Sequence, residues 1–231
     1  MLNKIKWWGP FVMVRNLLAI FFFSLSLWAG NTFAAPKCFT FAADSTYYKL
    51  RHAGDVLKQI LKSENICANI LFVPSRRAEE MMRRGMVDGE FGRISSYQET
   101  VTNKIIKVPT PIYSTSGVLI SHAPITSQNM SVAMMRGWVW ARRVAQKRGF
   151  TNLVPVDKGV SLMDLYNQKR VQAILLMQPM ISMMQLSSEP YQQKVANLDF
   201  HLWLHKSNQP YLDKIEDVIH QFRKGGGIFI R

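Results

Sequence analysis

The chain has 231 residues, 48% hydrophobic and 19% charged, a composition that excludes a disordered or low-complexity protein and leaves ample material for a core. Lys and Arg number 29 against 15 Asp and Glu, a formal charge of +14, which fits nucleic acid, an acidic membrane surface or a small anionic ligand. The basic residues are spread along the chain without an aromatic-interleaved stripe, zinc spacing or a helix-turn-helix pattern, so nucleic acid is set aside and most of this charge reads as solvated surface.

The N-terminal segment comes first in the chain. Lys4, Lys6 and Arg15 precede an apolar run from Leu17 to Trp28, and Thr32-Phe33-Ala34 and Phe33-Ala34-Ala35 are candidate cleavage contexts before Pro36. This is the layout of a secretory signal peptide over residues 1–35. The run of 12 residues falls short of the roughly 20 that span a bilayer as a helix. An uncleaved anchor, with the run stretched back over Trp7 to Val14, is the alternative. Residues 36–231 are then expected to work as an exported, periplasmic domain carrying about +11.

Cys38 and Cys67 are the only cysteines. In an oxidising compartment an isolated pair forms one disulfide, and closing a loop of about 30 residues stabilises the fold by roughly 3–4 kcal/mol in the chain-entropy account. Two buried thiols are the alternative. There is no CxxC motif or Cys/His cluster, and His52, His122, His201, His205 and His220 show no metal spacing. Neither a metal nor another cofactor is expected.

Residues 38–43 read as a short buried strand, followed by a helix with Leu50, Ala53, Leu57, Ile60 and Leu61 on one face. A second strand over 66–73 stops at Pro74. Ser75 is placed to cap the next helix, where Glu79 and Glu80 precede Arg83 and Arg84 at i,i+4, and Gly85 ends it. A shorter strand over 87–94 completes β-α-β-α-β, which implies a parallel sheet with right-handed crossovers. Residues 105–108 and 113–121 look extended. A second unit follows, with strands over 131–135, 153–156 and 171–177, and helices over 138–148, 161–169 and from Pro179 through Leu186. A strand over 199–205 and a helix carrying Leu212, Ile215, Val218, Ile219 and Phe222 close the pattern. Gly225-Gly226-Gly227 stops that helix, and Ile228-Phe229-Ile230 form a tail. Two α/β halves joined by extended segments imply two lobes with a cleft between them.

Three local patterns carry a resemblance to a known family. They are Val73-Pro74-Ser75-Arg76-Arg77-Ala78 with Gly85-Met86-Val87-Asp88-Gly89-Glu90, then Pro111 to Ile120, and Leu204-His205-Lys206-Ser207 leading to Ile219, Phe222 and the glycines. In this order the chain resembles extracellular solute-binding protein family 3, the periplasmic amino-acid-binding type of transporter component. The resemblance implies a two-lobed type II periplasmic-binding-protein fold, each lobe a mostly parallel sheet flanked by helices, with two hinge strands. Lobe I would be 36–118 plus 201–231 and lobe II 119–200, with hinges at Gly117 to Ile120 and Asp199 to Leu202. It further implies a monomer that binds a small-molecule solute and works with an ABC-transporter permease or a membrane receptor. The chain departs from the family's pattern in having no arginine between Lys107 and Arg136, and in placing Met177-Gln178-Pro179 where the family often has an aspartate. An ordinary L-amino acid is therefore not the expected ligand.

Ligands of open α/β sheets sit beyond the carboxyl ends of strands, where helix N-termini point in. After the first strand stand Asp44, Tyr47 and Tyr48, the tyrosines offering flat faces with hydroxyls. After the second, Arg76 or Arg77 offers a guanidinium fork for a carboxylate or phosphate. After the third, Glu90 and Arg93 flank Phe91-Gly92, either paired with each other or, for Glu90, facing a ligand ammonium. In the second unit, Gly137 allows close approach and Trp138 can cover the cleft; Tyr113 is a further candidate. Met177, Met180, Met183 and Met184 raise a copper(I) thioether site, but their helical spacing fits core packing better. Periplasmic dehydratases share this fold, yet Glu90 has no neighbouring catalytic partner in sequence, so no catalytic residue is assigned and a binding protein, not an enzyme, is expected.

Overall fold

The computed structural model describes residues 37–45, 47, 49–101, 104–183 and 190–230. Residues 1–35, expected above to be a signal peptide, and Tyr48 and Met184 lie outside them.

The first β-α-β-α-β run is present as read. Strand β1 (Cys38–Asp44) leads into helix α1 (Lys49–Ser63), β2 (Cys67–Val73), α2 (Ser75–Arg83) and β3 (Gly89–Ile94). Strand β1 lies between β2 and β3 and is parallel to both. The second unit has the same build: β6 (Ser131–Met135), α3 (Val139–Lys147), β7 (Asn152–Val156), α4 (Gly159–Asn167) and β8 (Ala173–Met177), with β6 parallel to β7 and β8. Each three-stranded parallel unit is the heart of one lobe.

Two long strands join the lobes. Strand β5 (Tyr113–Ser121) and strand β9 (Tyr191–His205) run antiparallel side by side, giving the sheet order β2-β1-β3-β9-β5-β8-β6-β7, with the short β4 (Ile105–Lys107) also on β9. Their register shifts between Gly117 and Val118, which pair with Ala196 and Lys194 and leave Val195 as the extra residue. Strand β9 begins eight residues before the expected 199. Its first residues, Tyr191 to Lys194, are exposed and mostly polar, so no apolar alternation marks them. They are held by backbone pairing to β5 rather than by burial.

Alternation along the strands separates four apolar clusters and shows that both faces of each parallel unit are covered, as a parallel sheet requires. In the first lobe Phe39, Phe41 and Phe91 face one side with Leu57, Ile215 and Phe229, while Ala42 faces the other with Met82, Tyr97 and Trp203. In the second, Val132, Met134 and Leu175 pack with Trp140 and Phe150, and Ala133, Ile174 and Leu176 pack with Leu162 and Tyr166. The last helix, α5 (Leu212–Lys224), returns to the first lobe, and the residues read as a tail belong to its core: Phe229 is fully buried against Phe222 and Phe91. Asp88, quoted above for the family resemblance, has a structural task. Its carboxylate accepts the Thr40 N–H at 2.9 Å and an Asn208 side-chain N–H at 3.1 Å, tying β1 to the segment before α5.

Cys38 and Cys67 form a disulfide between directly paired residues of β1 and β2. Two local expectations are corrected. The helix expected from Pro179 through Leu186 is a short 3-10 helix over Gln178–Met183 where it is described. Glu79 does not join the i,i+4 pairing on α2; Glu80 takes both Arg83 and Arg84, and Glu79 turns elsewhere. Among the described residues no helix is long and apolar enough to cross a membrane.

Candidate functional site

The first wall of the cleft is made by the carboxyl ends of β1, β2 and β3. Asp44 and Val73 end β1 and β2 in register, and α2 starts immediately after Pro74. Ser75 does not cap its own helix, as the sequence had indicated. Its hydroxyl donates instead to the Asp44 carboxylate, and no side chain caps α2. The Pro74 carbonyl takes the Arg77 and Ala78 N–H groups, and Ser75 and Arg76 line the cleft at the positive end of the helix. Arg76 lines the cleft there, exposed and without a hydrogen-bond or ion partner among the described residues, whereas Arg77 does not line it.

Behind this surface lies a buried charge network created by one backbone irregularity. In a regular strand Glu90 and Arg93, three apart, would point to opposite faces. Gly92 is an extra residue between Phe91, paired with Leu202, and Arg93, paired with His201. It sits at φ +83°, and an added Cβ would lie 2.8 Å from Leu50. This glycine bulge brings the two side chains together. Glu90 is fully buried and accepts from Arg93 Nε and from the Tyr97 hydroxyl. Arg93 Nη2 donates to the Ser75 carbonyl at 2.9 Å and lies 3.3 Å from Glu79, and the guanidinium stands 5.1 Å from the Tyr97 ring centre. Its Nη1 has no partner among the described residues. Tyr97 comes from the 3-10 helix Ser95–Glu99 and packs edge-on to Trp203 at 5.6 Å.

Burial pushes the Glu90 carboxyl above the ordinary range, against the opposing pull of Arg93 and Tyr97. Burial works against the charge of Arg93 too, but the carboxylates of Glu90 and Glu79 outweigh it and hold the guanidinium protonated more firmly than usual. Burial, followed by the Glu90 charge, raises the Tyr97 phenol well above its ordinary range.

The second wall is the turn between β6 and α3, with the end of β7. Gly137 takes φ +84° with no atom within 4 Å of an added Cβ, so the chain turns there into open space. Arg136 Nε pairs with Asp157 at 2.6 Å, both side chains well exposed. Trp138 and Trp140 lie 5.5 Å apart at the start of α3, which no side chain caps.

Between these walls is a cleft of about 720 Å³. No protein-family model matches the sequence, and no curated protein matches it. Solved structures do. The GluR0 ligand-binding core in complex with L-glutamate aligns with TM-score 0.65 and 14% identity, over 83% of this chain and 94% of that one. The unliganded, open L-cystine solute receptor of Neisseria gonorrhoeae aligns with TM-score 0.56 and 17% identity, over 83% and 89%. A histidine kinase sensor domain with similarity to periplasmic binding proteins aligns with TM-score 0.61 and 12% identity, over 82% and 92%. The chain has the two-lobed periplasmic-binding-protein fold. At these identities the likeness is one of fold.

Within this periplasmic-binding-protein fold the cleft gathers Tyr47, Arg76 and Arg93 from the first lobe and Trp138 from the second. Tyr113 lines a smaller chamber of about 80 Å³, which shares Tyr47, Met177 and Phe200 with the cleft. Arg77 and Glu90 do not line either space. The structure adds Glu79, Tyr97, Asp157, Trp140 and Phe200, which the sequence did not single out as site residues, and it brings Met177, read in sequence as core packing, to the cleft. Of these, Tyr97 had one readable signal: a glycine inside a strand pattern marks a bulge and redirects whatever follows it. Among the described residues no group of three His, Cys, Asp or Glu can hold a metal ion.

Proposed function

We propose that this protein is an exported solute-binding protein that closes its two lobes over a small anionic or zwitterionic molecule. The observation that carries this reading is the composition of the cleft. The first wall presents Arg76 and the remaining edge of Arg93 beside the uncapped start of α2, an arrangement that favours a carboxylate or phosphate. Asp44 and Glu79 on the same wall give an ammonium somewhere to go. Trp138 from the opposite lobe and Tyr47 offer apolar faces to the remainder. Contacts from both lobes favour the shut state over the open one, which is how a ligand drives a hinge.

The bound form would be handed to a membrane transporter of the ABC type or read by a membrane receptor. Export by the 1–35 segment agrees with the disulfide, a bond that persists in oxidising compartments. A binding role is favoured over an enzymatic one because Glu90, the carboxyl that burial raises, is sealed beneath Arg93 and Tyr97 rather than delivered to the cleft.

The test is a thermal-shift screen of the protein against amino acids, organic acids, polyamines and sugars, with mass spectrometry of each mixture. A saturable rise in Tm with an anionic or zwitterionic compound, and no product, supports the reading. Product formation moves the protein to the enzymes, and a response confined to polyamines or sugars contradicts the assigned charge.

A further inference from the structure

The small chamber beside the cleft is lined differently from the cleft itself. Its walls are Tyr113 and Phe200, whose rings lie 5.8 Å apart on paired positions of β5 and β9, with Tyr47, Met177, Pro179 and Met180, and Thr115 and Ser182 add two hydroxyl-bearing side chains to the lining. Lys49 is the one charged residue lining it among the described residues. Tyr113 and Phe200 belong to the two joining strands, Tyr47 to the first lobe, Met177 to the end of β8 in the second, and Met180 to the 3-10 helix Gln178–Met183 that follows it. The chamber is therefore complete only when the two lobes and the strands between them are brought together. Its volume of about 80 Å³ holds about three methylene-sized groups, taking the ~30 Å³ that a water occupies in the liquid as the unit.

We propose that this chamber is a second subsite that takes a short, uncharged apolar tail of the solute and so selects an amphipathic acid over a purely polar one. This rests on the reading of the main cleft as the site of the anionic head. A tail seated here touches both lobes and both joining strands, so its burial adds to closure as well as to affinity. Thioethers suit such a space because they are unbranched and polarizable and adapt to tails of slightly different shape. A terminal ammonium is disfavoured by Lys49.

Calorimetric titration with acetate, propanoate, butanoate and pentanoate, and in parallel with glycine, alanine, 2-aminobutanoate and norvaline, reads the subsite directly. Affinity is expected to rise about four-fold per added methylene, the worth of one buried CH₂, with 5-aminopentanoate weaker than pentanoate. Thr115→Phe projects a ring into the chamber from β5 and is expected to flatten the chain-length dependence. Thr115→Leu is the smaller alternative if the first variant does not fold. If the wild-type protein binds the short members and affinity does not change with length, or if the dependence survives in the filled variant, the subsite is wrong and the cleft reading stands. If 5-aminopentanoate binds better than pentanoate, the chamber is an aromatic cage for a cation and the proposal is overturned. If no member of either series binds and no anion shifts Tm, both the subsite and the reading of the cleft fail.

Discussion

The two walls of the cleft are built on different principles. The first is backed by a buried network in which Glu90 is fully enclosed and Arg93 is held by four groups: Glu90, Glu79, the Ser75 carbonyl and the Tyr97 ring. The second rests on the exposed pair Arg136–Asp157 and two tryptophans at an uncapped helix start. A guanidinium fixed on several sides loses little freedom when a ligand arrives, whereas an exposed ion pair is exchanged for a ligand at small cost. On the proposed reading, recognition falls to the first lobe and covering to the second.

The largest effects should therefore fall on the first wall. Glu90→Ala leaves Arg93 without its main buried partner, and breaking such a pair costs about 3–5 kcal/mol, measured by urea unfolding. Asp157→Ala on the second wall should cost under about 1 kcal/mol, as for exposed pairs. Equal losses at the two positions would erase the distinction. Next in size, reducing the Cys38–Cys67 bond, which spans 29 residues, should lower stability by about 3–4 kcal/mol, seen as a lower urea midpoint with dithiothreitol.

A smaller effect is one of pH. Burial raises the Glu90 carboxyl above its ordinary value of 4.5 in the folded state, so the unfolded chain releases this proton first as pH rises. The Glu90 contribution is fully present below 4.5 and is lost as pH climbs from there through the raised value. The stability of wild type relative to Glu90→Gln should fall across that window in unfolding curves taken at successive pH; a rise would contradict the burial argument. The smallest effect concerns Glu99 and Arg143, an ion pair between the 3-10 helix after β3 and α3 of the other lobe, both about half exposed. Glu99→Gln should speed release of a bound solute no more than a few-fold, and less at high salt, in stopped-flow measurements.

The overall architecture was legible because it is written in periodicity. The 3–4 spacing from Leu50 to Leu61 and the alternating strands set out two β-α-β-α-β runs, and the ordered motifs matched the fold that the solved structures share. The site was only half legible. Tyr47, Arg76 and Trp138 follow strand ends and could be placed by that rule alone. Glu79 and Tyr97 were not placed, because their meeting with Arg93 depends on a bulge, of which Gly92 is the one trace in sequence, and on a 3-10 helix that leaves none. Met177 and Phe200 look like any core residue in sequence; it is the crossing of β5 and β9 that brings them to the cleft. The polar start of β9 was hidden for the converse reason, since backbone pairing leaves no hydrophobic trace.

Closure itself is the central claim, and small-angle X-ray scattering measures it. With the anionic or zwitterionic compound that raises Tm most, at saturation, the protein should show a smaller radius of gyration and maximum dimension than without it. Identical profiles for the free and bound protein would show a body that does not hinge, and would contradict the account.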